Sequence, residues 1–254
     1  MPADNDFSQY QATANLLQNK VIAVTGAGDG IGRAAALTFA EHGATVILLG
    51  RTVAKLEKVY DEIVAGNAPQ PAIFPIDFKG ASDDDYENMA VTFEREFGAL
   101  HGLLHNASEL GQRTPLNQYA TDIWRQILQV NVTAQFMMTK ALLPVMEKAN
   151  HASIIFTGSS VGYHGRAFWG AYAVSKAATE NFMQILASEL SDVTNIRVNS
   201  INPGATRTKM RADAYPAEDP RRLKQPGDIM PLYLYLMGDD SIGVTGQQWS
   251  AQPK

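Results

Sequence analysis

A glycine cluster separates the first apolar run of the chain from its first helical pattern. The β-branched run Val21–Val24 leads into Thr25-Gly26-Ala27-Gly28-Asp29-Gly30-Ile31-Gly32, and Ile31–His42 then shows the broad apolar face of a helix. Glycines at such a turn let backbone N–H groups approach a diphosphate, which the N-terminus of the following helix also attracts. A strand, a glycine turn and a helix in this order predict a dinucleotide-binding unit, and a tight turn that binds nothing is the alternative.

Apolar β-rich runs alternate with helical patterns along the rest of the chain. The predicted strands are Val21–Val24, Thr45–Leu49, Pro71–Ile76, Leu103–Leu104, Ser153–Thr157, Ile196–Ile201 and Gln247–Ser250. The predicted helices are Ile31–His42, Val53–Ala65, Asp83–Phe97, Ile123–Met146, Ala171–Leu190 and Ile229–Met237. Strands that are apolar on both sides and separated by helices indicate a covered parallel sheet. The pattern predicts an α/β fold, a single Rossmann-type doubly wound parallel sheet flanked by helices on both faces.

Residues 1–254 are interpreted as one domain because strand and helix patterns continue almost to the last residue. The polar residues 1–19 are expected to form an N-terminal arm. Composition shifts at Thr206–Pro226, where three prolines accompany six basic and three acidic residues. We predict that residues 206–226 are a mobile excursion that serves as a substrate lid.

Composition disfavours several classes of function. Asp and Glu outnumber Lys and Arg by 26 to 21, and the net charge of −5 argues against non-specific nucleic-acid binding. The chain contains no cysteine, so disulfides, thiolate catalysis and cysteine-ligated metals are excluded, and we predict no metal site. No apolar run is long enough to span a bilayer, and the polar start lacks a signal-peptide pattern. We expect a cytoplasmic protein that binds neither nucleic acid nor membrane.

Of nine tyrosines, only Tyr172 is followed by a lysine four residues later, Lys176. Helical spacing places both side chains on one face, where an ammonium group would stabilise the phenolate and lower its pKa. A phenol with a lowered pKa suits acid/base catalysis near neutral pH. The alternative is an amphipathic helix with a surface lysine and a half-buried tyrosine.

Two more polar residues lie where ligands or buried partners are expected. Ser159 precedes Tyr172 by 13 residues and ends a predicted strand, where doubly wound sheets bind ligands, although a turn hydroxyl is the alternative. Asn131 lies between two valines in a predicted helix, a position that asparagine intrinsically disfavours. A buried amide needs partners, and either a structural water or a catalytic lysine would explain it.

The glycine spacing and these four residues together resemble the short-chain dehydrogenase/reductase family. The cluster has the form T-G-x-x-x-G-x-G, and the family's catalytic tetrad corresponds to Asn131, Ser159, Tyr172 and Lys176. Further matches follow in register at Asp77, Asn106-Ala107, Asn202-Pro203-Gly204 and Thr208. The local sequence Leu48-Leu49-Gly50-Arg51 is similar to that of the YciK-like bacterial oxidoreductases in this family.

Two segments depart from the family pattern. The family's N-N-A-G corresponds to His105-Asn106-Ala107-Ser108, and we interpret His105 as structural rather than catalytic. The serine adds a side chain beside the expected cofactor path. The chain end lacks the family's Asp-Gly-Gly, and Trp249 is expected to pack there as core.

The resemblance implies an enzyme, an NAD(P)-dependent oxidoreductase acting on carbonyl or alcohol substrates. It implies that Tyr172 donates the proton, that Ser159 hydrogen-bonds the developing oxyanion, and that Lys176 lowers the Tyr172 pKa and holds the nicotinamide ribose. Asn131 would anchor a water molecule, and the nicotinamide would lie against Pro203-Gly204. The implied cofactor-binding residues are Gly26, Gly28, Asp29, Gly30, Ile31, Arg51, Asp77, Phe78, Asn106, Ala107, Tyr172, Lys176, Pro203, Gly204, Thr206 and Thr208.

The end of the second predicted strand favours NADP(H) over NAD(H). NAD-specific folds place an acidic residue there to bind the adenosine ribose, but none occurs between Glu41 and Glu57. Arg51 lies at this position instead, and a guanidinium makes paired, charge-assisted hydrogen bonds to phosphate. A surface arginine at a strand end is the alternative.

Two other functions remain open at this point, a non-catalytic dinucleotide sensor or scaffold and a nucleotide-sugar epimerase or dehydratase. The small-molecule substrate is not specified, because the basic residues of 206–226 would either favour an anion or form a solvated surface.

The helices at 123–146 and 171–190 are apolar around much of their circumference. We therefore expect a homodimer or homotetramer, with ordinary core packing as the alternative.

Overall fold

A computed structural model describes residues 6–253 and contains one parallel sheet. Its strands are β1 (Val21–Thr25), β2 (Thr45–Gly50), β3 (Ala72–Pro75), β4 (Gly102–His105), β5 (Ala152–Thr157), β6 (Ile196–Asn202) and β7 (Gln248–Ser250). In the part of the chain described, the strand order is β3-β2-β1-β4-β5-β6-β7. The order reverses between β1 and β4, which opens a crevice at the carboxyl ends of these strands.

Helices cover both faces of the sheet. They are α1 (Gly30–Glu41), α2 (Val53–Ala65), α3 (Asp83–Phe97), α4 (Thr121–Leu128), α5 (Ala134–Met146), α6 (Ser160–Tyr163), α7 (Gly170–Leu190), α8 (Lys209–Ala214) and α9 (Met230–Met237). One core packs α1, α2 and α9 against the sheet, and the other packs α3, α5 and α7. Successive strand residues enter opposite cores, since Ile22 and Val24 lie in the first and Ala23 in the second. The predicted doubly wound α/β fold is confirmed.

The predicted helix over 123–146 is wrong in one respect. A π-helical turn, Gln129–Thr133, separates α4 from α5 and contains Asn131. Such a turn re-aims side chains within an otherwise continuous helix, and it commonly marks a functional position.

The segment 206–226 contains short regular elements, and its mobility and its role as a substrate lid stay predictions. Thr208 caps helix α8, a 3₁₀ turn spans Pro220–Arg222, and Thr206 forms a parallel bridge with Lys224. The predicted N-terminal arm covers residues 1–19, of which residues 1–5 lie outside the described part. Residues 6–19 pack on the molecule, in part through aromatic contacts. Phe7 lies edge-on to Trp249 with ring centroids 5.4 Å apart, and Trp249 is buried as predicted.

No helix within residues 6–253 is long and apolar enough to cross a membrane.

Candidate active site

The glycine loop follows β1 at the edge of the crevice. Gly26 and Gly30 adopt φ angles of 67° and 54°, a region that L side chains rarely occupy. Gly32 is buried against the loop, and a Cβ there would overlap the Gly26 carbonyl and lie 2.6 Å from the Asn106 Nδ2 atom. Asp29 caps α1 by accepting the Gly30 N–H at 2.8 Å and also binds Lys55 at 2.6 Å. The loop therefore presents backbone rather than side chains to the crevice, beside the exposed end of α1.

Thr25 joins the glycine loop to the end of β4. Its hydroxyl donates to the Leu104 carbonyl at 3.1 Å and accepts the N–H groups of Asn106 and Ala107 at 2.8 and 2.9 Å. Asn106 also donates its amide to the Thr25 carbonyl at 3.1 Å. The sequence motif contains Thr25 but gives no sign of these contacts, because its partners lie about 80 residues away.

Tyr172 and Lys176 lie on one face of α7, as their spacing predicts. Lys176 is 1% exposed, its Nζ donates to the Thr157 carbonyl at 2.7 Å, and the same Nζ lies 5.6 Å from the Tyr172 ring centroid. Burial lowers the pKa of Lys176 to about 8, and the nearby Glu180 carboxylate partly opposes this shift. The surface-lysine alternative is therefore wrong.

The pKa of Tyr172 moves opposite to the expectation from sequence. Burial raises it to about 12, while a hydrogen bond with Ser159 acts in the lowering direction. The Lys176 ammonium does not lower it in this structure, since Nζ is committed to Thr157 rather than to the phenol oxygen. Tyr172 thus retains its proton at neutral pH.

Asn131 connects the loop after β4 to helix α7 by hydrogen bonds. Its amide oxygen accepts the Glu109 N–H at 2.8 Å, and its Nδ2 donates to the Glu109 carbonyl at 2.9 Å and to the Ser175 hydroxyl at 3.0 Å. These bonds explain how a buried asparagine is accommodated in the helix, because its amide is satisfied without Lys176. The long-range partners, Glu109 and Ser175, were not anticipated.

The loop after β6 completes the edge of the site. Gly204 has a φ angle of 69°, and the Thr206 hydroxyl donates to the Pro203 carbonyl at 3.0 Å. Gln252 Nε2 holds the same loop through the Pro203 and Ala205 carbonyls at 2.9 and 3.2 Å. The methyl of Thr208 would lie 3.3 Å from a Cβ on Gly30, so the start of 206–226 meets the glycine loop. No local pattern pointed to Gln252.

The remaining predicted cofactor residues divide between surface and core. Arg51 follows β2, is 61% exposed in its side chain, and pairs with Glu109 at 2.9 Å. Asp77 is exposed and accepts the Lys79 N–H at 3.2 Å. Gly28 and Ile31 are half-buried in the loop, whereas the Phe78 side chain packs in the second core.

His105 has the surroundings of a structural residue. It is 1% exposed, stacks on Phe156 with centroids 4.7 Å apart, and its Nε2 lies 2.9 Å from the Thr139 hydroxyl. Burial lowers its pKa to about 3, so the ring is neutral at neutral pH.

Glu180 forms a buried polar cluster beneath the site, one turn after Lys176. Its carboxylate accepts the Ser200 hydroxyl at 2.5 Å and the Tyr163 hydroxyl at 3.1 Å, linking α7 to β6 and α6. Burial raises the pKa of Glu180 despite these bonds. The sequence contains a signal for this cluster, because Glu180 lies four positions after Lys176 on the same face of an apolar helix.

An apolar wall stands over Tyr172. The Trp169 ring lies 5.7 Å from the Tyr172 ring, and Tyr215 lies 5.8 Å from Trp169. The side chains packed with them are Val161, Ala173, Leu110, Met210 and Ala214. The Arg113 guanidinium stacks 4.0 Å from the Trp169 centroid and donates to the carbonyls of Phe168 and Ala214 at 3.2 and 2.9 Å.

Half of the basic side chains in 206–226 have acidic partners. The pairs are Lys209–Asp213, Arg211–Glu218 and Arg221–Asp219. Their neutralisation weakens the positive field that an anionic substrate would need.

Comparisons with known proteins agree with this geometry. The short chain dehydrogenase family model matches residues 20–219. The chain is 50% identical over 244 residues to the uncharacterized oxidoreductase YciK of Escherichia coli (strain K12), covering 96% of each chain. Two similar solved structures are short chain dehydrogenases from Shigella flexneri 2a str. 301, complexed with NADP, and from Escherichia coli CFT073, complexed with NADPH. Each has a TM-score of 0.93 and 50% identity, over 95% of this chain and 100% of that chain.

Proposed function

Because the chain belongs to the short-chain dehydrogenase/reductase family, we propose that it transfers a hydride between NADP(H) and a carbonyl or alcohol substrate. The observation that carries the proposal is the placement of Tyr172, with Lys176 and Ser159, at the carboxyl edge of the sheet that also bears the glycine loop. Acid/base and dinucleotide functions thus share one crevice.

The residues around the crevice fit a dinucleotide. Gly26 and Gly30 free the backbone of the loop, and Gly32 has no room for a side chain. Arg51 stands at the end of β2 as a cation for a 2′-phosphate, and two similar chains were solved with NADP or NADPH. When bound, the nicotinamide supplies the hydride chemistry.

The chain's own residues supply proton transfer and orientation. Tyr172 is protonated at neutral pH, because an unperturbed phenol already has a pKa of about 10 and burial raises that of Tyr172 to about 12, so its hydroxyl has a proton to donate to a carbonyl oxygen. Ser159 donates a hydrogen bond to the oxygen as negative charge develops. Lys176 would hold the nicotinamide ribose, and Asn131 positions the helix that carries both Tyr172 and Lys176.

The apolar wall indicates the substrate class. A carbonyl or alcohol bound beside the Tyr172 hydroxyl would lie next to the apolar cluster that contains Trp169 and Tyr215. We infer an apolar small molecule and assign residues 206–226 as its lid, because Met210, Ala214 and Tyr215 come from that segment.

Turnover measurements test the proposal. Purified protein is incubated with NADPH and apolar aldehydes or ketones, or with NADP⁺ and the matching alcohols, while nicotinamide absorbance is followed. Cofactor-dependent turnover with any of these substrates supports the proposal. Binding of NADP(H) without turnover across the panel would favour a non-catalytic sensor. The cytoplasmic location stays a prediction.

The preference for NADP(H) is tested by calorimetric titration of the wild-type protein and Arg51→Ala. We expect wild-type protein to bind NADP(H) roughly ten- to a hundredfold more tightly than NAD(H), as one arginine–phosphate contact provides. Arg51→Ala should lose most of that difference, and Gly50→Asp with Arg51→Ala should reverse the order. Equal or tighter binding of NAD(H) by the wild-type protein contradicts the preference.

The exposed apolar side chains of α5 and α7 support our proposal of a homodimer or homotetramer. Core packing accounts for Met138, Leu142 and Met183, but Phe136 and Ile185 remain 51% and 49% exposed. We expect a dimeric or tetrameric mass by solution scattering, and a smaller mass for Phe136→Glu with Ile185→Glu. Val64→Glu on α2, where the side chain is 45% exposed, is the control and should leave the mass unchanged. A monomeric wild-type protein at micromolar concentration would refute the proposal.

A further inference from the structure

An ion pair crosses the crevice in which the dinucleotide is proposed to bind. Arg51 follows β2 and Glu109 lies in the loop after β4, and these two strands flank β1 on opposite sides. Two interstrand spacings, roughly 10 Å, separate the backbones of β2 and β4. The side chains close this gap, with Arg51 Nη1 2.9 Å from Glu109 Oε1.

The two partners are anchored to different degrees. Glu109 is tied at its backbone to the Asn131 amide by bonds of 2.8 and 2.9 Å, and its second carboxylate oxygen accepts Gln126 Nε2 at 2.5 Å. Its side chain is 22% exposed, whereas that of Arg51 is 61% exposed. Glu109 is thus a fixed anion, and Arg51 is the partner that is free to reorient.

Glu109 is also the one carboxylate within ion-pair distance of Arg51 in residues 6–253. The other cations near the loop have separate partners, since Lys55 pairs with Asp29 and Arg33 pairs with Glu62. A phosphate arriving at the end of β2 would therefore compete with a single resident anion.

We propose that Glu109 is a specificity-determining residue whose carboxylate competes with the 2′-phosphate of NADP(H) for Arg51. The inference rests on the proposed function. Phosphate binding exchanges one anionic partner of the guanidinium for another, so the resident pair reduces the net gain from the phosphate. NAD(H) brings no phosphate to this position and leaves the Arg51–Glu109 pair intact.

Calorimetric titration of Glu109→Gln with NADP(H) and NAD(H) tests the competition. We expect the NADP(H) dissociation constant to fall by about three- to fivefold, from the loss of one exposed ion pair that competes for Arg51, and that of NAD(H) to change by less than about twofold. This increase in NADP(H) affinity should become smaller as the salt concentration is raised. In the Arg51→Ala background, the same Glu109→Gln substitution should change NADP(H) binding by less than about twofold.

Glu62→Gln is the matched control, because it removes one carboxylate from a different ion pair near the glycine loop. It should leave both dissociation constants within about twofold. If Glu109→Gln does not fold, Glu109→Ala provides the same measurement, since the backbone bonds to Asn131 are retained.

The outcomes separate the inference from the proposed function. Unchanged NADP(H) binding by Glu109→Gln overturns the inference, because the carboxylate would then not compete with the phosphate. Weaker binding overturns it as well, because Glu109 would then orient Arg51 for the phosphate. An equal fall in the dissociation constants of NADP(H) and NAD(H) also overturns the inference. The Arg51–Glu109 ion pair would then be one that either dinucleotide must break to bind. A wild-type protein that binds neither cofactor refutes the proposed function itself.

Discussion

Replacing Tyr172 with phenylalanine is expected to lower turnover by roughly two or more orders of magnitude, the scale of a lost acid/base group. The substitution removes the hydroxyl, while the ring keeps its contact with Trp169, whose centroid lies 5.7 Å away. NADP(H) affinity should remain within about twofold, since the glycine loop and Arg51 are untouched. Steady-state turnover and calorimetric titration on the same preparation measure the two quantities.

A matched substitution controls for loss of a tyrosine hydroxyl elsewhere. Tyr60 on α2 accepts a 2.8 Å hydrogen bond from Gln70 at the surface, so Tyr60→Phe should leave turnover unchanged. Wild-type turnover in Tyr172→Phe would remove Tyr172 from the mechanism, whatever the cofactor affinity.

Gly32→Ala is expected to disrupt both stability and cofactor binding. The added methyl would overlap the Gly26 carbonyl and lie 2.6 Å from Asn106 Nδ2, and both neighbours belong to the walls of the crevice. We expect the free energy of unfolding to fall by about 1–3 kcal/mol, as for other overpacked sites, and NADP(H) binding to fall below detection. Urea denaturation and calorimetric titration measure these effects.

Gly80→Ala serves as the control for adding one methyl group to a glycine. No heavy atom lies within 4 Å of a Cβ at this position. Both the free energy of unfolding and the NADP(H) affinity should stay close to wild-type values. If Gly32→Ala behaves in the same way, the close packing of the glycine loop is not required for binding.

Local patterns predicted most of the elements that frame the site. The bounds of α2 and α3 match the predicted Val53–Ala65 and Asp83–Phe97, because apolar side chains recur there at helical spacing. Strands β1, β2 and β4 were recognisable because both their faces are buried, which makes them nearly continuous apolar runs. Tyr172 and Lys176 share a face of α7 for a similarly local reason, the helical repeat.

Contacts between distant residues were not predictable in the same way. The amide of Asn131 meets Glu109 and Ser175, which are 22 and 44 residues away, and Gln252 reaches Pro203 across 49 residues. No periodicity within a short window reports such pairs. The ion pair between Arg51 and Glu109 belongs to the same class, since the order of β2, β1 and β4 alone brings them together.

By itself, the amino-acid sequence determined the doubly wound fold, the glycine turn and the helix face that Tyr172 and Lys176 share, because each depends on spacing along the chain. Tertiary structure alone decided the direction in which the Tyr172 pKa shifts. Burial raises it, while the Lys176 ammonium donates to the Thr157 carbonyl of a neighbouring strand at 2.7 Å. The burial of a side chain and the orientation of a neighbouring charged group depend on the packing of distant segments, so no local sequence pattern specifies them.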